Sequence, residues 1–122
     1  MAKYVDGFVI TIPKNKLSVY RRMAQKAGKI WLEFGALEYR ECIGDDLNTK
    51  FGLPFPRLVK TKPRETVVFS WIVYKSRAHR DSVNAKVMKD PRIAKMIPEP
   101  APFDMKRMSY GGFKVLVDLI HL

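Results

Sequence analysis

The sequence lacks the features that would stabilise a protein by disulfides or anchor it in a membrane. Its 122 residues include one cysteine, Cys42, so no disulfide can form within the chain. The longest apolar run, residues 67–74, is far shorter than the roughly 20 residues that span a bilayer, and residues 1–4 lack the apolar core of a signal peptide. We therefore expect a cytoplasmic protein that folds without disulfides and makes no contact with membranes.

The motifs of several large enzyme classes are also absent. The chain has no glycine-rich phosphate loop, no G-x-S-x-G turn and no zinc-type spacing of cysteine and histidine. Its two histidines, His79 and His121, are too few for a histidine metal site within one chain. The pair Asp45 and Asp46 supplies too few oxygen ligands and is more typical of a turn. The sequence thus predicts no metal and no cofactor, and it names no reaction.

Positive charge is in excess. The chain carries 23 Lys and Arg against 12 Asp and Glu, a net charge of +11. Residues 1–32 hold seven basic side chains and one acid, whereas residues 33–46 hold five acids and one base. Such a charge attracts anionic partners, either nucleic acid or small phosphorylated molecules, but it also serves solubility alone. The composition leaves both interpretations open.

The clearest strand covers residues 67–74, which are β-branched or aromatic except for Ser70. This composition is typical of a central strand that is covered on both faces. Ser76 follows as a good N-cap and predicts a helix over residues 77–89. Residues 65–81 therefore form one strand-to-helix unit around which the rest of the chain packs.

Three further strands and one long helix are predicted. Residues 3–12 form the first strand, residues 36–43 a second strand near a sheet edge, and residues 109–118 the last. Over residues 17–34, apolar side chains recur at steps of three and four, which indicates an amphipathic helix. Gly35 supplies the left-handed position that ends this helix.

The order of these elements predicts the fold class. Strand, helix, strand, strand, helix, strand is the order of an α+β, ferredoxin-like βαββαβ antiparallel sheet with both helices on one face. We expect the first and third strands to be central and to run parallel to each other, and residues 1–122 to form a single domain. The long irregular segment 44–64 combines glycine and proline with apolar residues, so it is predicted to be a flap over a cavity or a partner subunit.

Several segments resemble the YbaA-like family of small bacterial proteins of unknown function. The resemblance covers nearly the whole chain and is carried by residues 4–8 (Tyr-Val-Asp-Gly-Phe), 35–39 (Gly-Ala-Leu-Glu-Tyr), 67–81, 84–88 (Asn-Ala-Lys-Val-Met), 106–108 and 111–113 (Gly-Gly-Phe). It implies a dimeric α/β barrel, in which two ferredoxin-like sheets pack face to face and each subunit keeps a cavity between its sheet and helices. Enzymes and non-enzymatic proteins share that architecture, so the resemblance implies a homodimer more than a reaction.

The candidate chemical residues are those expected on the helix-facing side of the sheet. His79 lies at the border of the apolar stripe of its helix, where burial and a neighbouring lysine would shift its pKa. With Asp6, Ser70 and Tyr74 it would line the cavity and meet a small organic ligand, for which an anion is one option. The alternative for His79 is a packing or capping role.

The opposite, helix-free side of the sheet is predicted to be a dimer interface made of Tyr4, Val67, Phe69, Trp71 and Val73. Large aromatic side chains at this density should not face water in a monomer. An alternative occupant is single-stranded RNA, because residues 69–74 partly match the third-strand motif of RNA-recognition modules and Tyr4 would be the first-strand aromatic. A third possibility is a non-enzymatic structural or regulatory dimer, whose cavity would be filled by its own side chains.

Overall fold

The computed structural model describes residues 2–121. In chain order the elements are β1 (Tyr4–Pro13), a 3-10 turn (Lys14–Lys16), α1 (Leu17–Glu33), β2 (Glu38–Ile43), α2 (Phe55–Leu58), β3 (Glu65–Tyr74), α3 (Arg77–Lys89), α4 (Pro91–Ala94), a second 3-10 turn (Met105–Arg107) and β4 (Ser109–Lys114). The strands and long helices follow the predicted order, and α2 and α4 are short additions within the connecting segments. No helix of these residues is long and apolar enough to cross a membrane.

The four strands form one sheet in the order β2-β3-β1-β4, with every neighbouring pair antiparallel. The fold is therefore the predicted ferredoxin-like α+β fold. The expectation that β1 and β3 run parallel was wrong, although both are central. Each βαβ crossover joins strands that are separated by one other strand, so β1 is parallel to β2 and β3 to β4, while β3 lies between β1 and β2 in the opposite direction.

The hydrophobic core lies between the helices and one face of the sheet. One buried cluster joins α3 to the sheet and contains Ile30, Ala36, Ile72, Tyr74, Val83 and Val87. A second joins α1 to the other end of the sheet and contains Ile10, Ile12, Tyr20, Ala24 and Val68. Gly35 adopts a φ of +112° just after α1 and terminates this helix, as predicted. The side-chain hydroxyl of Ser76 accepts a 3.1 Å hydrogen bond from the His79 N–H and caps α3.

The pairing register assigns each strand residue to a face. Tyr4 lies opposite Tyr74 and Asp6 lies opposite Ile72, so all four of these residues face the helices. The prediction that Tyr4 belongs to the helix-free face was therefore wrong. Side chains alternate along a strand, and Tyr4 has the same parity as Asp6, which was expected on the helix side. The helix-free face is instead formed by Val5, Gly7 and Val9 of β1, by Val67, Phe69, Trp71 and Val73 of β3, and by Gly111 and Phe113 of β4.

The 44–64 segment packs at the helix-free face. The ring of Phe55, at the start of α2, lies 6.0 Å from the ring of Phe69 in an edge-to-face arrangement. Phe51 is almost fully exposed, and Leu53 and Leu58 are more than half exposed. This segment therefore lies beside the predicted dimer surface, away from the helices.

Beyond β4 the chain has no regular secondary structure, and its backbone is joined to the sheet where the Val115 N–H donates a 3.0 Å hydrogen bond to the Lys3 carbonyl. The strand thus ends at Lys114, four residues earlier than predicted. The apolar side chains that follow are turned to solvent, and Leu116 is 96 % exposed. The others of this C-terminal segment are Val117, Leu119 and Ile120.

Candidate functional site

A cavity of 440 Å³ lies between the sheet and the helices, at the boundary of the two core clusters. Its floor is the helix-facing side of the sheet and includes Phe8, Ile10, Ser70 and Ile72. Its walls come from α1 and α3, which meet where Trp31 Nε1 donates a 3.0 Å hydrogen bond to Asn84. The ferredoxin-like arrangement therefore leaves a cavity between the sheet and the helices.

The remaining wall of the cavity is the chain between α4 and β4. Ile93, Met96 and Phe103 of this segment line the cavity, and none of the residues between 44 and 64 does so. The cover is thus residues 91–108, a segment that the sequence analysis did not assign to the cavity. The lining also contains five methionines, which are flexible and adapt to ligands of different shape: Met23, Met88, Met96, Met105 and Met108.

A buried ion pair lies at one end of the cavity. The carboxylate of Asp6 is 1 % exposed and accepts a 2.9 Å hydrogen bond from Nη1 of Arg80 on α3. Arg80 also lies over the ring of Tyr4 at 4.8 Å and donates a 3.1 Å hydrogen bond to the Tyr110 hydroxyl. Burial lowers the pKa of Arg80, but the charge of Asp6 and its other anionic or phenolic neighbours raise it by more, so the guanidinium stays charged.

Asn84 connects this pair to the aromatic residues around it. Its Oδ1 accepts 3.0 Å hydrogen bonds from Trp31 Nε1 and from the Tyr74 hydroxyl, and its Nδ2 donates a longer one of 3.4 Å to Asp6. Burial, followed by the negative charge of Asp6, raises the pKa of Tyr74 well above its usual range. Tyr74 is therefore a neutral hydrogen-bond donor at any physiological pH.

A second polar group, Glu41, lies at the other end. It projects from β2 toward the helices, opposite Ser70 of β3. Its two carboxylate oxygens accept hydrogen bonds of 2.6 Å from the Tyr20 hydroxyl and 2.8 Å from the Tyr39 hydroxyl. Burial, and then the Glu41 charge, raise the pKa of both tyrosines far above the usual value, so both remain protonated donors.

The four predicted site residues are only partly brought together. Asp6 and Ser70 line the cavity, as expected. Tyr74 is fully buried behind Asn84 and does not reach the cavity surface. His79 lies at the first turn of α3, outside the cavity: its Nδ1 accepts a 3.0 Å hydrogen bond from the Lys75 N–H, and its ring packs edge-on against Tyr74. The expected cavity position of His79 was therefore wrong, because the turn before α3 directs its ring back toward the cap.

Three polar residues of the site were not predicted. Arg80 and Asn84 are four residues apart on α3, so both face the buried Asp6, and a buried carboxylate generally requires such a partner. For Glu41, the sequence did contain an indication. Glu41 has the same parity on β2 as Tyr39 and Ile43, so it is a charged residue on a strand face that is otherwise apolar.

The helix-free face carries a shallow apolar depression of 600 Å³. The rings of Phe69 and Trp71 lie 5.6 Å apart, and Phe113 contributes a third ring. Trp71 Nε1 donates a 3.0 Å hydrogen bond to Glu38 Oε2 at the rim. The hydrogen bond from Arg40, followed by that from Trp71, holds the pKa of Glu38 below its usual value. With Tyr4 on the other face, this surface lacks the first-strand aromatic of an RNA-recognition platform.

Residues 2–121 contain no group of three or more His, Cys, Asp or Glu side chains that could hold a metal ion. Cys42, the single cysteine of the chain, is exposed and unpaired within this range. The polar chemistry of the cavity therefore consists of carboxylate, amide, guanidinium and hydroxyl groups.

Comparison with known proteins agrees with this fold. A crystal structure described as a dimeric ferredoxin-like protein from an uncultured marine organism superposes with a TM-score of 0.61 at 12 % identity, covering 98 % of this chain and all of that one. The uncharacterized protein YbaA of Escherichia coli K12 is 48 % identical over 116 residues, which is 95 % of this chain and 98 % of that protein, and YbaA of Shigella flexneri matches equally. Residues 3–105 match the family of proteins of unknown function DUF1428. Over nearly its whole length, then, this chain belongs to the DUF1428 family, together with YbaA.

Proposed function

We propose that the protein binds a small, mainly apolar organic molecule in the cavity between its sheet and its helices. The observation that carries this proposal is the cavity itself, whose 440 Å³ falls within the range of about 300–1,000 Å³ that is usual for small-molecule sites. Its lining is mostly aliphatic and aromatic, with a few polar groups in fixed positions, which is the usual composition of such sites. A purely structural dimer would fill this space with its own side chains.

Access to the cavity supports the same proposal. Met88 and Met105, both part of the lining, are more than half exposed, so the cavity opens to solvent beside them. A ligand can enter there without unfolding the sheet. Rearrangement of the 91–108 cover, which consists of short helical turns and irregular chain, would widen the same opening.

The proposed working form is a homodimer that packs through the helix-free face. Phe69 and Phe113 are 45 % and 62 % exposed there, and large apolar patches of this kind usually mark an interface. The ferredoxin-like neighbour of known structure is described as dimeric. Packing two such sheets face to face would produce the dimeric α/β barrel, with the 44–64 segment and the exposed C-terminal residues at the border of the interface.

The binding proposal is tested with 1-adamantanemethanol and 1-adamantylmethylamine, which are compact, apolar and transparent where tryptophan absorbs. Trp31 lines the cavity, whereas strand alternation directs the Trp71 side chain to the opposite face although this residue also borders the cavity. A Trp71→Phe variant leaves Trp31 as the one tryptophan whose emission reports on binding. We expect saturable binding of at least one probe, seen as a change in Trp31 emission and confirmed by calorimetry.

A pair of matched variants locates the binding. Ala27→Phe places a ring inside the cavity, whereas Ala85→Phe places the same ring on the exposed side of α3. We expect Ala27→Phe to weaken binding at least about tenfold, about 1.4 kcal/mol, and Ala85→Phe to leave it unchanged. Met88→Trp, at the mouth, serves the same purpose if Ala27→Phe does not fold. Absence of saturable binding of both probes, or unchanged binding in the folded cavity variant, would refute the proposal.

A further inference from the structure

We infer that the cavity selects an organic cation, an amine with an apolar body, and that Glu41 is the residue that recognises its charge. This inference rests on the proposed binding function and adds the chemical class of the ligand. It is opposite to what the net charge of +11 suggests, because a basic protein surface attracts anions. The cavity differs in charge from the surface that surrounds it.

The cavity lining holds two carboxylates, Asp6 and Glu41, and one base, Arg40. Asp6 is neutralised by Arg80 at 2.9 Å. Glu41 forms no ion pair with any base in residues 2–121, and its carboxylate is held by two neutral tyrosine hydroxyls. Arg40, its neighbour in sequence, has the opposite parity on β2 and pairs with Glu38 at 2.9 Å. Arg21 and Lys29 line a neighbouring pocket together with Glu41, but neither forms an ion pair with it, so its negative charge has no paired base among residues 2–121.

Aromatic rings surround the same end of the cavity. Tyr20 and Phe103 lie 5.7 Å apart and edge to face, and Trp31 and Tyr39 lie 6.1 Å apart, with all four rings in the lining. The electron-rich faces of such rings attract ammonium groups, and the attraction is strongest where water is excluded. Aromatic rings beside one uncompensated carboxylate are the combination that holds an organic cation.

Hydrogen-bonding capacity leads to the same choice. An ionised carboxylate has about four acceptor sites, and the two tyrosine hydroxyls occupy one on each oxygen of Glu41. Further partners of Glu41 must be donors, since a carboxylate cannot donate. An ammonium group supplies three N–H donors, of which one can bind Glu41. The Ser70 hydroxyl lies directly opposite Glu41 on the cavity floor and is a neutral acceptor for a second N–H. An anionic ligand would instead meet the Glu41 charge, and the one base of the lining, Arg40, is already paired with Glu38.

The test uses three probes of equal shape: 1-adamantylmethylamine, 1-adamantanemethanol and 1-adamantanecarboxylate, which are a cation, a neutral molecule and an anion at pH 7. We expect the amine to bind at least about tenfold more tightly than the alcohol, and the carboxylate to bind most weakly. Glu41→Gln should remove the preference for the amine, so that amine and alcohol bind with similar affinity. Asp46→Asn, the control at an exposed acid outside the cavity lining, should leave all three affinities unchanged.

The outcomes separate this inference from the binding proposal. Equal affinity for amine and alcohol, or tightest binding of the carboxylate, would overturn the role of Glu41 while the cavity remained a binding site. Failure of both amine and alcohol to bind would overturn both. The ranking of the three probes on the unmodified protein decides the question even if Glu41→Gln does not fold.

Discussion

The carboxylate of Asp6 and the guanidinium of Arg80 lie 2.9 Å apart, and they join the central strand β1 to helix α3. Asp6 is 1 % exposed and the Arg80 side chain 14 %, so the pair is largely removed from water. Asn84 and Tyr110 complete the hydrogen bonds around it. The pair therefore connects α3 to the sheet at the end of the cavity where Asp6 lies.

Removal of one member of this pair should be costly, because the other is left as an uncompensated buried charge. We expect Arg80→Met to lower the free energy of unfolding by about 3–5 kcal/mol, measured by urea denaturation followed by circular dichroism. Arg92→Ala breaks exposed pairs with Glu33 and Asp90 and should cost much less than Arg80→Met. The double variant Asp6→Asn with Arg80→Met should lose less than the sum of the single losses. Equal losses for Arg80→Met and Arg92→Ala would contradict the structural role of the buried pair.

A second ion pair predicts how stability depends on pH. Glu65 accepts hydrogen bonds of 2.7 and 2.9 Å from Arg107, and these, more than any other contact, hold its pKa below the usual value of 4.5. A carboxyl group whose pKa is lower in the folded state stabilises the fold above its unfolded pKa. That contribution is lost as the pH falls below 4.5 and through the folded pKa.

The measurement is the difference in unfolding free energy between the unmodified protein and Glu65→Gln at a series of pH values. The difference should be constant near neutral pH and should decrease below pH 4.5. Asp118→Asn is a suitable control, since Asp118 makes only a 3.8 Å contact with Lys3 at the surface. A difference that grows as the solution is acidified would show that Glu65 is not stabilised by Arg107.

The proposed dimer leads to a prediction for Trp71, at the centre of the helix-free face. Trp71→Lys or Trp71→Asp should convert a dimer into a monomer, because either change places a charge in the apolar interface. Leu32→Lys, an equivalent change at an exposed position of α1, should leave the dimer intact. Native mass spectrometry and sedimentation velocity measure the subunit number. A Trp71→Lys protein that stays dimeric at low concentration would refute this interface.

The exposed C-terminal residues allow a separate test of the dimer. Leu116 and Leu119 are 96 % and 88 % exposed, so replacing both with serine should leave the stability of one subunit nearly unchanged. If a second copy covers them, the same change should weaken the dimer, by about 1 kcal/mol or more for each side chain. The dimer dissociation constant should rise at least about tenfold, as measured by dilution in sedimentation experiments. An unchanged constant would place these residues outside the interface.

The fold was predictable where local signals agreed with one another. A run of β-branched and aromatic residues predicted β3, and a serine cap followed by an apolar stripe predicted α3. The structure has these elements at Glu65–Tyr74 and Arg77–Lys89. The prediction that β1 and β3 are parallel was wrong, because the relative direction of two strands follows from the geometry of the crossovers and not from any single residue. The cover of the cavity was missed because residues 91–108 consist of short turns without a helical or strand period.

The candidate site was predictable only as far as strand parity reaches. Asp6 and Ser70 were placed correctly because alternation along a strand assigns each residue to a face. The positions of the Arg80 and Asn84 side chains depend on how α3 is rotated about its own axis. The sequence of α3 is only weakly amphipathic, so it does not determine that rotation. His79 has the packing or capping role that the sequence left open, because the turn before α3 directs its ring back toward the cap. Predicting Glu41 as a site residue would have required noticing that a charged residue lies on the apolar face of an edge strand.

Gly28 provides a test of how tightly the Glu41 end of the cavity is packed. A Cβ atom at this position of α1 would lie 2.6 Å from the Tyr39 ring, closer than any real contact, so the ring must move if the residue becomes alanine. Movement of the ring breaks its 2.8 Å hydrogen bond to Glu41. Alanine is otherwise favoured over glycine within a helix by about 1 kcal/mol. We expect the clash to prevail, so that Gly28→Ala lowers the free energy of unfolding by about 1–3 kcal/mol.

The sign of this effect should reverse when the obstructing ring is removed. In a Tyr39→Ala background the alanine at position 28 meets no ring, and only its helix propensity remains, so Gly28→Ala should raise stability by up to about 1 kcal/mol there. Urea denaturation of the four proteins of this cycle measures both effects. The coupling between the two positions should then be about 1–4 kcal/mol, the difference between loss in one background and gain in the other. A stabilising Gly28→Ala in the unmodified protein would show that Tyr39 is free to move, and the tyrosine arrangement that orients Glu41 would not be rigid.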